Sequence, residues 1–483
     1  MSMETISVTN PRSGEVDYEI PAHDLAHVVA ATKRLRAAQS RWENRGINGR
    51  VEVLSRWQQA IARHAEAITN ALCIDTGRYA MAHIETQYVQ HWIAHWAQRG
   101  PELLSAREPE TSRLAPTVHF THTLKPYPVV GIISPWNVPL ILGLIDAIPA
   151  LAAGCSILLK PSEVTPRFAR PLQEAIDEVP ELAEVIEIVT GGPATGQALI
   201  KSVDAVCFTG SIPTGRQVAV QAAEHFIPAF LELGGKDAAL VLSSANLDHA
   251  ADAILRSAAG MNGQACQSLE RIYVQEGVFD DFVERLVSRA EAIQINWPDL
   301  HRGHIGPFIF PPQAAKVQAQ LDDAVARGAK IRCGGEVEQH GGWWCRPTVL
   351  TNVDHEMDIM REETFGPVMP VMPFQTIEDA IRLANDSVYG LSGAVFAGTL
   401  EEAEAIAPRL QGGAISVNDA SLTANVHDVE KNSFCQSGMG GSRMGDAGLM
   451  RFLRKRAILS QNAVPVSLQV MEESLAVSAP ESD

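Results

Sequence analysis

The sequence lacks paired cysteines. Its seven cysteines are scattered along the chain, and no two of them stand in a Cys-x-x-Cys arrangement. Without such spacing we expect neither a zinc site nor a disulfide framework. Free thiols suit a reducing compartment, so the cysteine pattern predicts a cytoplasmic protein without a bound metal.

The sequence also lacks a surplus of positive charge. Lys and Arg number 39 against 57 Asp and Glu, which gives a formal net charge of −18. Binding to nucleic-acid phosphates needs a basic face, so we do not expect nucleic acid as a partner. The acidic balance mainly favours solubility, and it leaves room for a dinucleotide, which needs only a local anion site.

No apolar run in the sequence is long enough to cross a membrane. The longest candidate, Val138 to Cys155, contains Asp146 and is interrupted by Pro139, Gly143 and Pro149, and it therefore predicts a buried helix. Residues 1–19 are too polar and acidic for a signal peptide. We therefore expect neither membrane insertion nor secretion.

Periodicity divides the chain into a helical beginning and a long region of alternating strands and helices. Helical spacing covers His23 to Glu43, Arg50 to Asp75 and about Tyr79 to Leu104. Thr117 to Lys125 alternates like a strand. The later apolar strands are predicted at Val129–Ile133, Cys155–Leu159, Val185–Val189, Ala205–Phe208, Ala238–Leu242 and Arg271–Gln275. This alternation predicts a parallel, Rossmann-like sheet followed by a second α/β domain.

One polar segment contains the best candidate for a nucleophile. Met261 to Ser268 reads MNGQACQS, so a Gly-Gln pair stands shortly before Cys266, and Arg271 follows. A thiol attacks a carbonyl only as the thiolate, so the site must lower its pKa or supply a base. A lone cysteine is more often a buried structural residue, and only the surrounding pattern argues for catalysis.

A second segment places one carboxylate before two glycines. Leu231 to Lys236 reads LELGGK, with Glu232 among apolar neighbours. A carboxylate in an apolar environment is a useful general base, and the glycines permit a close backbone approach. The simpler alternative is a salt-bridged glutamate at the end of a strand.

Together these segments resemble the active site of the aldehyde dehydrogenase superfamily. The chain has the family's GQxCxxxxR and PWNxP patterns, and matching segments run from Asn10 to about Gly445. The resemblance implies that Cys266 is the nucleophile and that Glu232 activates the water that hydrolyses the thioester. It also implies that Asn137 and the Cys266 backbone N–H stabilise the oxyanion.

The resemblance further implies NAD as the cofactor, with NADP possible. A carboxylate at Glu163 favours a free ribose 2′-hydroxyl and repels a 2′-phosphate. The chain lacks GxGxxG, but the family's GSxxxG pattern begins at Gly210, where backbone N–H groups at a helix start can face a pyrophosphate. The residues implied in cofactor binding are Ser134, Pro135, Trp136, Lys160, Glu163, Gly210, Ser211, Gly215, Leu233, Glu363 and Phe365.

The implied fold is α/β, with a Rossmann-like cofactor domain, an α/β catalytic domain and a small β oligomerisation arm. We place the NAD-binding domain at 1–116 and 130–234, the catalytic domain at 235–445, and the arm at 117–129 and 446–470. Residues 471–483 are small and acidic, and we predict that they fray. Because an exposed strand edge needs a partner, the arm predicts a homodimer or homotetramer.

One segment, 431–445, departs from the family pattern and leaves the substrate open. Residues 434–443 read FCQSGMGGSR where relatives have FGGxKxSGxGRE. By resemblance the substrate pocket is formed by Val138, Leu142 and Ile145, which are aliphatic. No Arg or Lys lies between residues 137 and 160, so we expect an apolar aliphatic or aromatic aldehyde. We interpret Arg443 as a solvated or interface residue, although it could change the preference by reaching the pocket mouth.

Three alternatives remain at this point. A CoA-acylating aldehyde dehydrogenase has no use for a hydrolytic glutamate, so Glu232 argues against it. A semialdehyde dehydrogenase would need a cation for the substrate carboxylate. A catalytically silent structural or binding relative would have no need of Cys266, Glu232 and Asn137 together.

Overall fold

A computed structural model of the protein describes residues 4–105, 108–465 and 467–471. The first described elements are the antiparallel strands Thr5–Thr9 and Val16–Pro21. Four helices follow at Leu25–Asn44, Gly46–Arg63, Ala65–Thr76 and Tyr79–Leu103. The Asp24 side chain caps the first helix by accepting the His27 N–H, and Gly77 ends the third in a left-handed conformation. The second predicted helical stretch is two helices, because the backbone at His64 leaves helical geometry.

A six-stranded sheet forms the cofactor half of the molecule. Its strand order is Gly438–Met439, Ala229–Glu232, Ala205–Thr209, Val129–Ile133, Ser156–Lys160 and Ile186–Ile188. Only the Gly438–Met439 strand is antiparallel to its neighbour. The chain leaves the central strand first to one side and then to the other. Its carboxyl end is therefore the switch point at which open α/β sheets bind ligands.

Short helices connect the strands of this sheet. They are Pro139–Leu144, Ala147–Ala153, Ala169–Asp177, Pro180–Ala183, Pro193–Ile200 and Ile212–Glu224. The predicted single buried helix between Val138 and Cys155 is two helices separated by Ile145 and Asp146. Both helices are buried, as the apolar run predicted.

The catalytic half contains a seven-stranded sheet that is parallel except at one edge. Its order is Lys330–Cys333, Thr348–Thr351, Val368–Phe374, Leu269–Gln275, Asp237–Val241, Ser392–Phe396 and Ala414–Val417. A separate hairpin pairs Val337–His340 with Gly342–Cys345. The α-helices in this part of the chain are Leu247–Ala259, Phe279–Ala292, Pro311–Ala326, Asp358–Arg361, Ile377–Asn385, Leu400–Ile406 and Ala447–Met450. The predicted α/β fold with a Rossmann-like sheet and a second α/β unit is confirmed.

The arm is a three-stranded antiparallel sheet of Leu453–Gln461, Val118–Pro126 and Glu110–Thr111. The Leu453–Gln461 strand exposes large apolar side chains, including Leu459 at 69%. Two short strands belong to other sheets than their predicted domains suggest. Glu110–Thr111 lies in the predicted NAD-binding domain but joins the arm, and Gly438–Met439 lies in the predicted catalytic domain but joins the cofactor sheet. The domain boundaries themselves stay a prediction. The predicted frayed tail, apart from Met471, lies outside the described residues. Within the described ranges, every helix is too short or too polar for a membrane crossing.

Candidate active site

The segment before Cys266 is shaped by a left-handed turn. After the helix Leu247–Ala259, residues Met261, Asn262 and Gly263 have φ of 55°, 57° and 69°. A Cβ on Gly263 would lie 2.2 Å from the backbone carbon of Gly366, so only glycine fits there. The turn therefore brings the cysteine loop against the segment that carries Glu363 and Phe365.

Asn137 is tied directly to the cysteine loop. Its side-chain Nδ2 donates to the Gln264 carbonyl at 2.9 Å, and the Asn137 side chain is buried. Gln264 is itself fully buried, and its Oε1 accepts the N–H of Ile309 at 2.9 Å. One N–H of the Asn137 amide thus holds the loop two residues before Cys266, and its second N–H can serve another acceptor.

Arg78 and Glu85 support the Asn137 segment from the helical region. The Arg78 guanidinium donates to the Asn137 carbonyl. Glu85 accepts the N–H groups of Leu140 and Ile141 at 2.9 and 3.2 Å, and so caps the helix that follows. Burial raises the pKa of Glu85 to about 7, and burial lowers the pKa of Arg78 to about 10. Sequence reasoning missed both residues, because nothing in their spacing indicates the loop they contact.

The surroundings of the Cys266 thiol oppose its ionisation. Burial raises its pKa to about 11, and the carboxylates of Glu363, Asp237 and Glu232 act in the same direction. The Lys431 ammonium lowers the pKa of the thiol and so offsets part of this effect. At neutral pH the thiol is therefore protonated, and its use as a nucleophile requires a proton acceptor.

Glu232 is the last residue of its strand and faces residues of the divergent segment. The Ser433 hydroxyl donates to Glu232 Oε2 at 2.8 Å, and Lys431 Nζ lies 3.7 Å from the same oxygen. The following glycines allow close packing, since a Cβ on Gly235 would lie 2.4 Å from the Cys266 carbonyl oxygen. The glycine segment that follows Glu232 thus packs directly against the loop of the nucleophile.

A cavity of about 540 Å³ brings most of the predicted site residues together. It runs along the carboxyl ends of the cofactor sheet, where the strand order predicts ligand binding. The predicted site residues on its walls are Ser134, Pro135, Trp136, Asn137, Leu142, Lys160, Glu163, Gly210, Ser211, Glu232, Leu233, Cys266, Glu363 and Phe365.

Three predicted site residues do not line this cavity. Gly215 packs behind the cavity wall: a Cβ there would lie 2.4 Å from a methyl group of Leu233, which does line the cavity. Val138 is buried. Ile145 lies in the hydrophobic core at 3% exposure, and its carbonyl accepts the Trp92 indole N–H at 3.0 Å. Ile145 therefore lies in the core rather than on the wall of this cavity, and its place in the substrate pocket stays a prediction.

The cavity contains side chains and backbone N–H groups that can form hydrogen bonds with the hydroxyl and phosphate groups of a dinucleotide. Lys160 Nζ lies 3.1 Å from Glu163 Oε2, directly after a sheet strand. Ser211 caps the helix Ile212–Glu224, whose first N–H groups suit an anion. At the other end Glu363 Oε1 accepts the Gly235 N–H at 3.0 Å. Burial raises the pKa of Glu363 to about 7.

A buried ion pair supports the Glu363–Phe365 segment. Glu270 Oε2 accepts from Lys236 Nζ at 2.8 Å and from the Thr364 N–H at 2.7 Å, while Oε1 accepts the Phe365 N–H at 2.7 Å. The side chains of Lys236 and Glu270 are 0% and 3% exposed. Sequence reasoning missed this pair, although Glu270 stands next to Arg271 of the cysteine motif.

Arg443 is buried rather than solvated, so our interpretation of it as a solvated or interface residue is wrong. It pairs with Asp146 at 2.7 Å and donates to the Thr209 hydroxyl at 2.7 Å. Arg451 contacts the other oxygen of Asp146. Burial alone would raise the pKa of Asp146, but the two guanidinium groups bring it below its usual value. The charge of Arg443 is thus balanced by Asp146 inside the protein.

Comparison with known proteins shows similarity along nearly the whole chain. The model of the aldehyde dehydrogenase family matches residues 1–458. The solved structure of Putative Aldehyde Dehydrogenase PutA from Anabaena variabilis is 51% identical, covers 96% of this chain and 99% of its own, and has a TM-score of 0.94. Betaine aldehyde dehydrogenase from Staphylococcus aureus, solved in complex with NAD+, is 30% identical, with coverage of 96% and 93% and a TM-score of 0.89. A Mycolicibacterium smegmatis protein named Putative succinate-semialdehyde dehydrogenase, with NADP+ in its name, is 32% identical over 92% of this chain and 86% of its own.

Proposed function

This chain belongs to the aldehyde dehydrogenase family, an NAD(P)-using family of oxidoreductases that act on aldehydes, and from this premise we propose that it oxidises an aldehyde to a free carboxylic acid through a covalent intermediate on Cys266. The observation that carries the proposal is the single cavity lined by Cys266, Asn137 and Glu232 together with the cofactor residues. A nucleophile, an amide donor and a base beside one cleft are the parts that acyl transfer to water requires.

The first step is addition of the Cys266 thiolate to the aldehyde carbon, which forms a thiohemiacetal. Because the thiol is protonated at neutral pH, its proton must pass to a base before or during attack. The second N–H of the Asn137 amide and the backbone N–H of Cys266 stabilise the developing oxyanion. NAD(P), when bound, accepts the hydride that leaves the aldehyde carbon.

The second half of the reaction releases the acid. Loss of hydride converts the thiohemiacetal into a thioester on Cys266. Glu232 accepts a proton from water as the water attacks the thioester carbon, and the C–S bond breaks to return the thiolate. A glutamate beside the cysteine loop supports hydrolysis over transfer to CoA.

We propose NAD over NADP, since Glu163 presents a carboxylate beside Lys160 at the predicted ribose position. A 2′-phosphate there would meet a like charge, although Lys160 offsets part of the repulsion. The Mycolicibacterium relative named for NADP+ makes this preference worth measuring directly.

We propose an apolar aliphatic or aromatic aldehyde as the substrate. Leu142 lies on the cavity wall, and the nearby cations are engaged by protein acids, Arg443 by Asp146 and Lys431 by Glu232. A semialdehyde dehydrogenase is the second candidate, favoured by the name of the Mycolicibacterium relative. Comparing kcat/KM for hexanal and benzaldehyde with that for succinic semialdehyde decides between them, and a higher value for succinic semialdehyde refutes the apolar proposal.

The Cys266→Ala variant tests the proposed chemistry. We expect it to lose aldehyde-dependent NADH formation while it still binds NAD, because thiolate attack precedes hydride transfer. Cys333→Ala is the matched control, since Cys333 is also a half-buried free thiol but does not line the cavity. Near-normal NADH formation by Cys266→Ala would contradict the assignment.

The Glu232→Gln variant tests the hydrolytic step. We expect one burst of NADH per active site followed by slow turnover, because the thioester forms but water is not activated. A variant with neither burst nor turnover would place Glu232 before hydride transfer instead.

A further inference from the structure

We propose that Lys431 and Ser433 are positioning residues for thioester hydrolysis, which hold the Glu232 carboxylate so that one of its oxygens faces the water. The inference rests on the proposed function, because it concerns the base that activates water in that reaction. Both residues belong to segment 431–445, where the chain departs from the family pattern.

Both contacts are made to the same carboxylate oxygen. Ser433 Oγ donates to Glu232 Oε2 at 2.8 Å, and Lys431 Nζ lies 3.7 Å from Oε2 and 3.4 Å from Ser433 Oγ. Among the residues that the structure describes, none donates a hydrogen bond to Oε1. Glu232 lines the cavity, so the geometry fixes Oε2 and leaves Oε1 to accept the proton of water.

The backbone of the divergent segment holds these two side chains in place. Gly438 pairs with Glu232 in an antiparallel strand, and the Leu233 N–H donates to the Ser437 carbonyl at 2.8 Å. The fully buried Ser437 hydroxyl also accepts the Gly390 N–H at 2.9 Å, from the catalytic half. The segment that carries Lys431 and Ser433 is thus hydrogen-bonded to both halves of the molecule close to Glu232.

The electrostatics support a role for Lys431 in particular. The side chains of Lys431 and Glu232 are only 10% and 12% exposed, so their attraction is weakly screened by solvent. Lys431 also lowers the pKa of the Cys266 thiol, so its charge acts on the nucleophile as well as on the base that it contacts. The Glu232 carboxylate also helps to raise the pKa of Arg443, but Arg443 is already paired with Asp146 and bonded to Thr209.

A positioning role for hydrolysis predicts a particular kinetic pattern. If only the step after hydride transfer slows, the acyl-enzyme accumulates, kcat falls, and the burst of NADH persists. For Ser433→Ala, which removes a neutral group that touches Glu232, kcat and KM should fall together while kcat/KM stays constant. A residue needed only for folding or substrate binding would lower kcat/KM and the burst amplitude instead.

The test compares Lys431→Met, Lys431→Arg and Ser433→Ala with the unmodified protein by rapid-mixing and steady-state NADH measurements. We expect kcat to fall by about 10-fold for Lys431→Met and by less for Ser433→Ala, since positioning supplies part of the effect of a general base. Lys431→Arg should recover much of the loss, because the arginine keeps the charge. Lys33→Met is the control, since Lys33 is an exposed lysine on the first helix.

An unchanged kcat in both Lys431→Met and Ser433→Ala would overturn the proposal, and so would loss of the burst in Ser433→Ala. If Lys431→Met does not fold, Ser433→Ala decides alone, because it removes only one hydroxyl group. The Cys266→Ala result judges the proposed function independently of these variants. Failure of one proposal can therefore be told from failure of the other.

Discussion

Replacing Glu270 by glutamine removes one charge of a buried ion pair and nearly preserves the shape of the side chain. The Lys236 and Glu270 side chains are 0% and 3% exposed, and their charged atoms lie 2.8 Å apart. The variant leaves the Lys236 ammonium buried without its counter-ion, which costs about 3–5 kcal/mol of folding free energy. We expect the midpoint of thermal unfolding to fall by roughly 6–20 °C, because each kcal/mol shifts it by about 2–4 °C in a domain of this size.

The same change should weaken cofactor binding in the protein that remains folded. Glu270 accepts the N–H groups of Thr364 and Phe365 with its two oxygens, and a glutamine offers only one oxygen. The segment that carries Glu363 and Phe365 then loses one anchor. Loss of one such bond corresponds to a rise in the NAD Kd of about 10-fold, to be measured by fluorescence titration at 25 °C.

The double variant Glu270→Gln/Lys236→Met provides the decisive comparison. Removing both charges relieves the buried cation, so the double variant should be more stable than Glu270→Gln alone. Asp323→Asn is the control, because its solvent-screened pair with Arg327 should contribute little to stability. If the unfolding losses of the two single variants simply add in the double variant, the argument from an uncompensated charge is refuted.

Three further predictions concern the cofactor and the assembly. Glu163→Ser should narrow the preference for NAD over NADP in kcat/KM, and equal values in the unmodified protein would remove the basis for this prediction. Burial raises the pKa of Glu363 to about 7, so its ionised form, which we propose accepts hydrogen bonds from cofactor hydroxyls, is lost as pH falls through 7. The NAD Kd should therefore rise as pH falls from 8 to 6, by up to ~10-fold per pH unit below 7. The Glu363→Gln variant should show a pH-independent Kd, and the same behaviour in the unmodified protein would contradict the prediction. Light scattering at micromolar concentration should show a dimer or tetramer. Leu459→Asp should weaken this assembly, because the arm strand exposes the apolar side chains of Ile458 and Leu459 at 48% and 69%. A monomeric unmodified protein would contradict the prediction of an oligomer.

Local chemistry in the sequence predicted much of the secondary structure and most of the residues that meet at the candidate site. Short apolar segments predicted four of the six strands of the cofactor sheet, each within two residues of the observed strand, but not Ala229–Glu232 or Gly438–Met439. Gly235 indicated a close backbone approach, which the packing against the Cys266 carbonyl oxygen explains. Cys266, Asn137 and Glu232 stand in short motifs whose chemistry is readable because the groups that define each motif are neighbours along the chain.

Only the tertiary structure decided which charged groups meet. Ser433 and Glu232 are 201 residues apart, and Arg443 and Asp146 are 297 apart, so no periodicity or spacing relates them. Ile145 turned out to be a core residue because a break between two helices set its direction. The energy of an ion pair or a buried contact depends on the distance in space and on exclusion of water, and both are set by which strands and helices the fold makes neighbours.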